Sequence, residues 1–552
     1  MGEQMSQAQT IGWWQPGGQP QTGEQAIRAA LAQLNQPVAL VRWAAGLAVG
    51  PGGVAVLGGS APSPEALPLL GYAPPLLPEQ LGDSQFRAEH GLRYAYVQGA
   101  MANGIASVEL VEAISRAGCL GFFGAAGLSP ARIETAIDRL TTSLGNRPFG
   151  FNLIHSPGEQ DLEAAVVDLY LRRGIRLVEA SAYLDLTPHV VRYRVTGLRR
   201  EADGRVVAPN RVVAKVSRVE VATKFLSPPP EKILRELVAA GQITAEEAEL
   251  ARFIPMAQDI SVEADSGGHT DNRPAITLLP TMLALRERLQ AEHRYAVPPR
   301  VGLGGGIATP ASVAAAFAMG AAYVLTGSIN QACVESGTSD KVRQMLAQAE
   351  QADTIMAPAA DMFEMGVKVQ VLKRGTMFAM RGAKLYELYR AYPSIEALPE
   401  AERAQIEKTI FRAPLEEIWR QTMEFFRVRD PRQIERANAD PKHKMALIFR
   451  WYLGNASRWA NSGEPTRQLD YQIWCGPAMG AFNEWTRGSL LQEPANRTVA
   501  LVALNLLAGA AVTLRANLLR CQGVVLPAEV THFAPRSMDQ LQAILGSGEL
   551  TA

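Results

Sequence analysis

The chain has 552 residues, 47% apolar and 20% charged, a composition that excludes a largely disordered protein. Its 54 basic residues balance 54 acidic ones, so no net field draws it to nucleic acid, and no basic block does so locally. Cys119, Cys333, Cys475 and Cys521 are too widely spaced for a zinc knuckle or a disulfide framework, so no metal is expected and a reducing cytoplasm is the expected compartment.

The start, MGEQMSQAQT, lacks the basic segment and apolar run of a signal peptide. Residues 1–90 read as an N-terminal appendage short of core. In it GWWQPGGQPQTGEQ is an irregular, flexible start and residues 25–34 are a short helix. PVALVRWAAG and GGVAVLGGS are β-rich patches parted by Pro51, Gly52 and Gly53.

From residue 91 short apolar runs alternate with amphipathic helices. The strands predicted are YAYVQGAM, CLGFFGAAG, FGFNLIHS, RLVEASA, VVAKVS, DISVEADSGG, RVGLGGG and AAYVLTGS. Helices such as IASVELVEAISRAG, SPARIETAIDRLTTSLG and PASVAAAFAMG fall between them, with Ser129 as an N-cap and Pro130 in the first turn of the second. Eight such units over residues 91–350 predict an α/β fold, a (β/α)8 TIM barrel. The alternative, an open doubly wound sheet, would show a switch point and usually fewer strands. Two insertions interrupt the series, a hairpin near 192–212 turning at Asp203 and Gly204, and two helices near 227–253.

Residues 351–552 read as a second, mainly α-helical domain with no strand alternation, rich in aromatic and arginine residues (Arg450, Trp451, Arg458, Trp459, Trp474, Trp485). Most of these aromatics suit the helical unit's own core. The rest are expected to help cap the barrel mouth as an apolar channel with a basic surface. Residues 498–514 are apolar and at the short edge of a membrane span, but Asn505 in the middle and the mix of Ala, Gly and Leu predict a buried helix.

A barrel does its chemistry where strands end and loops begin. Gly304, Gly305 and Gly306 close the seventh strand before a helix, and Gly327 and Ser328 close the eighth. Two glycine turns at these strand ends fit a phosphate bound by backbone N–H groups, although glycines also serve plain tight turns. His269 follows Gly267 and Gly268 after the sixth strand, where an imidazole can act as acid or base or merely bond locally; Asp265 and Asp271 are the nearby carboxylates that can orient it. His155, beside Ser156-Pro157-Gly158 after the third strand, is its rival. Gly99, Ala100 and Met101 after the first strand, with Asn152 in the third, suit a flat ligand held by backbone groups and an amide. Lys215 sits within an apolar strand and needs an anionic partner, Glu179, Glu263 or a cofactor atom.

QGAMANGIASVELVEAISRAGCLGFFGAAG, FGFN, EADSGGHTDN and GLGGGIATPASVAAAFAMGAAYVLTGS together resemble the nitronate monooxygenase family (formerly 2-nitropropane dioxygenases), FMN-bound barrels whose superfamily includes flavin-dependent enoyl reductases. FEMGVKVQVLKRGTMFAMRGAKLYELY, DPKHKMALIFRWYLGNASRWA and DYQIWCGPAMGAFNEW resemble its PfaD-type branch, trans-acting enoyl reductases of polyunsaturated fatty acid and polyketide synthases. The likeness covers nearly everything after about residue 85. It implies that Ala100 and Met101 lie along the flavin ring with Asn152 beside it, that Lys215 faces the flavin site, and that Gly305, Gly306, Gly327 and Ser328 hold the FMN phosphate, with Gly99, Gly268 and Gly304 as flanking positions. His269 matches the histidine standing over the flavin, and His269 and Lys215 are the catalytic candidates. The implied activity is reduction of 2-enoyl thioesters on acyl carrier protein domains, with FMN as cofactor and NADPH as transient co-substrate; oxidation of nitroalkanes is the alternative. No Tyr-x-x-x-Lys pair of Rossmann-type enoyl reductases is present, which leaves the proton donor open. No membrane partner is implied, and the oligomeric state, a homodimer included, is not specified.

Overall fold

The computed structural model describes residues 9–44, 46–155 and 160–545. The expected loop at Ser156, Pro157 and Gly158 and most of the polar start lie outside them. Eight parallel strands close into a barrel: Tyr96–Gln98, Leu120–Phe123, Gly150–Ile154, Leu177–Ser181, Arg211–Val216, Asp259–Glu263, Arg300–Gly304 and Val324–Thr326. The ring is completed by the eighth strand pairing with the first, Val324 opposite Tyr96. Strands and helices fall where hydrophobic periodicity places them, because the strands are buried on both faces and helices such as Val108–Arg116 and Pro130–Leu144 are amphipathic. Ser107, Ser129, Thr187, Thr309 and Ser339 cap helices by accepting backbone N–H groups, with Pro at the first turn in three of the five. Both insertions appear, as the hairpin Arg199–Arg200 with Val206–Val207 and as the helices Glu231–Ala239 and Ala245–Leu250.

The N-terminal end of the barrel is plugged. Helix Ser84–His90 inserts Phe86, which stacks on Tyr323 at 4.3 Å between centroids. Buried Asp259, the first residue of its strand, lies 2.8 Å from His90 and 2.6 Å from Arg300. His90 first and then Arg300 overcome the upward push of burial on the Asp259 carboxyl and hold it below the ordinary range. With Phe86 filling this end of the barrel, the carboxyl ends of the strands remain open to a ligand.

Two expectations are corrected. The N-terminal segment is not an irregular start: GWWQ forms strand Gly12–Gln15 in a six-stranded antiparallel sheet whose other strands run up to Ala73. Trp14 is fully buried, and its Nε1 donates to Gly52 O at 2.9 Å. A Cβ at Gly50 would sit 2.6 Å from the indole, so the glycine that ends strand Gly46–Gly50 makes room for the ring. The sheet borrows its core from the chain's other end. Helix Val499–Cys521 packs against it and against barrel helix Pro310–Ala318. Buried Arg515 donates to the carbonyls of Leu31, Gln33 and Gln36. This helix is long and apolar enough to span a membrane, but 83% of its apolar window is buried inside the molecule. Asn505 is satisfied there, donating to Leu501 O and Arg536 O and accepting from Arg536 N.

The second correction is in residues 351–552, which are mainly helical but contain strands. Thr354–Pro358 and Lys368–Leu372 form an antiparallel hairpin, and Gly268–His269 adds to it as a third strand. The Lys-Val-Gln-Val-Leu run is the strand signal, short and flanked by helical periodicity that masks it.

Candidate active site

A cavity of about 610 Å³ opens at the carboxyl ends of the barrel strands, within the size range of cofactor and substrate pockets. The barrel supplies one wall and the helices Leu415–Arg429 and Pro441–Ser462 supply the other. Of the residues singled out from the sequence, Gly99, Ala100, Met101, Asn152, Lys215, Gly268, His269, Gly305, Gly306, Gly327 and Ser328 line it, as do Glu263, Arg450, Trp451, Arg458 and Trp474. Gly304 does not; it is the last paired residue of its strand, and its carbonyl accepts from Ala264 N. Trp459 and Trp485 pack elsewhere, the first edge-on to Trp451 at 5.8 Å, the second donating to Phe533 O.

The glycine turns border open space. A Cβ added at Gly306 or Gly327 meets no atom within 4 Å, and among the described residues the amide N–H groups of Gly305, Gly306 and Gly327 donate to nothing in the chain. Gly305 and Gly306 have φ of +79° and +76°, conformations that favour glycine. Ser266 Oγ, also on the cavity wall, is buried without a hydrogen-bond partner. Free amides, an unpartnered hydroxyl and room for further atoms fit the phosphate end of a flavin mononucleotide. The flatter stretch Gly99–Met101, with the Asn152 amide held by Glu179 O at 3.1 Å and Ser181 Oγ at 3.0 Å, fits a planar ring.

His269 is held by a residue that sequence spacing did not reveal. Its Nε2 lies 3.1 Å from Asp361 Oδ2, and Asp361 lies just beyond strand Thr354–Pro358, which is joined through its hairpin to the short strand carrying the histidine. Burial would lower the histidine's pKa, but the Asp361 carboxylate outweighs it and holds the imidazole above its ordinary value. The same pairing overcomes burial at Asp361 and holds its carboxyl low. The nearby carboxylates that could orient His269 are engaged elsewhere: Asp265 accepts from Asn272 and Gln370, and Asp271 pairs with Ser217 and Arg218. The rival His155 is a packing residue. Its Nδ1 lies 2.9 Å from buried Glu163, which also accepts from Tyr183 and Thr187, and its ring stacks on Tyr183.

Beneath the cavity Lys215 Nζ lies 3.7 Å from Glu179 and 3.4 Å from Glu263, carboxylates on the two neighbouring strands. Burial would discharge the lysine, but Glu179 and then Glu263 outweigh it and hold it above the usual lysine range. Burial pushes the Glu179 carboxyl up to about 7, against the pull of Lys215 and of the Ala100 N–H that donates to it at 2.8 Å. Its Oε1 has no hydrogen-bond partner. This triad therefore places a titratable group directly under the Gly99–Met101 loop.

The mouth is completed by residues 474–477. A Cβ at Gly267 would stand 2.9 Å from Cys475 N, and one at Gly476 would stand 2.8 Å from Gly267 N, so two glycines let the segments touch backbone to backbone. Gly476 N donates to Ser328 Oγ at 3.0 Å, and Val371 bridges to Trp474.

A parallel barrel with a plugged N-terminal end and a glycine-lined cavity at the other is a ligand-binding barrel of the TIM class. The nitronate monooxygenase family matches residues 88–387, and the inserted helical domain of [acyl-carrier-protein] S-malonyltransferase matches residues 392–471. The chain is 50% identical over 447 residues to a polyunsaturated fatty acid synthase subunit from Thraustochytrium sp., covering 80% of this chain and 30% of that one. It is 47% identical over 454 residues to polyketide biosynthesis protein PksE of Bacillus subtilis, covering 82% and 58%. The chain therefore spans only part of the length of these relatives. Among solved structures, the enoyl reductase domain of MlnA from the macrolactin biosynthesis cluster of Bacillus amyloliquefaciens is similar, with 39% identity, a TM-score of 0.75 and coverage of 80% and 99%. The chain belongs to the nitronate monooxygenase family, on the PfaD-type branch that its C-terminal blocks resemble.

Proposed function

We propose that the chain is an FMN-dependent enoyl reductase acting in trans, reducing 2-enoyl thioesters on acyl carrier protein domains of a polyketide or polyunsaturated fatty acid synthase. The observation that carries this reading is one cavity joining free glycine amides, the His269–Asp361 pair and a wall of C-terminal helices. The 39% identity to an enoyl reductase domain along nearly all of that domain supports it. Reduction adds a hydride to the β-carbon and a proton to the α-carbon; FMN, recharged by NADPH, would supply the hydride. Gly305, Gly306, Gly327 and Ser328 would hold the FMN phosphate, and Ala100, Met101 and Asn152 would flank its ring. Lys215 keeps a positive charge beneath that ring. The chain's own task is the proton and the thioester oxygen. With Asp361 holding Nε2, His269 stays protonated further towards neutrality than an ordinary histidine and can donate to the developing enolate.

The test is whether the purified protein carries FMN and oxidises NADPH when crotonyl thioester is added. Turnover with a nitroalkane and oxygen, and none with the thioester, would instead assign nitronate oxidation. Protein without flavin absorbance would reject both.

A further inference from the structure

The cavity changes character from one side of the barrel to the other. In the ring of strands, Leu120–Phe123 and Gly150–Ile154 stand opposite Asp259–Glu263 and Arg300–Gly304. His269, Gly305 and Gly306 line the cavity just after the second pair. Beyond the first pair the lining is apolar: Leu128, Ile133, Leu153 and Val166 are buried in the protein yet border the cavity. Ile133 belongs to helix Pro130–Leu144 and Val166 to helix Gln160–Arg172. Phe426 and Leu447, from helices Leu415–Arg429 and Pro441–Ser462, add apolar surface.

Two contacts hold those helices over this side of the mouth. Arg432, just past the first of them, lies 2.5 Å from Asp161 at the start of helix Gln160–Arg172. Ser457 on the second accepts from Asn103 Nδ2 at 3.1 Å, in the loop after strand Tyr96–Gln98. Glu163, Asn152, Thr422 and Gln421 also line the cavity, and each is engaged within the protein. Glu163 accepts from Tyr183 and Thr187, and Asn152 donates to Glu179 O and Ser181 Oγ. Thr422 donates to Ile418 O and Gln421 to Glu417.

We propose that this lobe is an acyl-chain site, taking an apolar chain longer than crotonyl, with Val166 as a residue that sets how much chain is accepted. Buried aliphatic walls reward each methylene taken from water and give nothing to a phosphate or a nucleotide. The lobe lies across the barrel from His269, so a thioester held at the histidine can send its chain away from the glycine amides. The thioester head group rests on the enoyl reductase reading; the lobe's preference for an apolar chain does not.

Calorimetric titration of the full-length protein as purified, with butanoyl-, hexanoyl-, octanoyl- and decanoyl-pantetheine, tests this without turnover. In wild type, affinity is expected to rise by up to about fourfold per added methylene and to level off once the lobe is full. An octanoyl-to-butanoyl affinity ratio above about tenfold supports the lobe; a ratio near one overturns it. Val166→Phe, checked for folding by circular dichroism, should bring that ratio close to one. A ratio unmoved by Val166→Phe puts the chain elsewhere and overturns the assignment of this wall, as does a loss confined to NADP⁺ binding. If Val166→Phe does not fold, the milder Val166→Thr takes its place and should lower the ratio in part. Kinetics separate this from the functional reading. If wild type reduces crotonyl- and 2-octenoyl-pantetheine with equal KM and binds the saturated series equally, the lobe fails and the enzyme assignment stands. If the affinity ratio holds but neither enoyl thioester is reduced, the assignment fails and the lobe stands.

Discussion

Asp361 does for His269 what a second carboxylate does in many acid–base pairs: it fixes one ring nitrogen and favours the charged ring. His269→Ala is expected to keep its flavin and its reduction by NADPH but to lose ~10²–10⁴ in turnover of enoyl thioester, the usual contribution of a positioned acid. Asp361→Asn should act more mildly and in a diagnostic way, moving the alkaline limb of the kcat profile to lower pH because the imidazolium loses its partner. An unmoved limb would show that another group delivers the proton. The stability consequence has a definite sign. The histidine's raised pKa contributes stability that is fully present below its unfolded value of about 6.5 and lost as pH rises through the folded one. The aspartate's lowered pKa contributes above its unfolded value of about 3.9 and is lost on acidification. The stability difference between wild type and Asp361→Asn should therefore be largest between about pH 4 and 6.5. Lys215 behaves differently. Because burial raises the Glu179 carboxyl to about 7, the counter-charge that Glu179 offers Lys215 grows between pH 6 and pH 8. Lys215→Met should lower Tm at both, and by more at pH 8; equal losses would mean that Glu179 is ionised throughout.

At the scale of elements, the glycine turns are where a variant can separate ligand binding from folding. Gly327→Val is the cleaner probe, since Gly306 sits at φ +76°, where a β-branched residue is strained whatever the ligand does. Neither position has a chain atom within 4 Å of an added Cβ, so Gly327→Val should purify folded but short of flavin, as judged by circular dichroism and visible absorbance. Normal flavin content would place the phosphate elsewhere. These turns were legible in the sequence because a strand, a glycine run and a helix N-cap are contiguous, and the eight barrel strands were legible for the same local reason. What stayed hidden was assembled from distant segments. Asp361 reaches His269 across 92 residues of sequence through a hairpin that recruits Gly268 and His269 as a strand. The neighbouring aspartates looked like better partners only because they were nearer in sequence. Gly267 and Gly476 are far apart in sequence, yet the backbone of each leaves no room for a side chain on the other. Of the N-terminal strands, Val38–Trp43 and Val54–Leu57 fall in the two β-rich patches, whereas Gly12–Gln15 was missed, and the packing of this sheet against helix Val499–Cys521 joins segments far apart in sequence.

The whole molecule is arranged around one opening. Helix Val499–Cys521 ties the N-terminal sheet to the outside of the barrel, and the Ser84–His90 plug closes the far end. The helices Leu415–Arg429 and Pro441–Ser462 therefore stand over the carboxyl-end cavity of the barrel. A tethered substrate must reach the cavity past them, and an acidic carrier would be drawn to exposed basic residues beside the opening. Arg436 is exposed on helix Arg432–Ala439, and Arg432 at its start is exposed and held by Asp161 and Asp430. Arg436→Glu, alone and with Arg432→Glu, tests this surface without touching the cavity. Charge reversal should raise KM for a carrier-bound enoyl thioester several-fold and leave a free short thioester unaffected. Salt should mimic the loss in wild type, because exposed charges are screened over about 8 Å at physiological ionic strength. Equal losses on both substrates would mean that the substitutions perturb the helices themselves. No loss on either would mean that the carrier approaches from another side of the molecule.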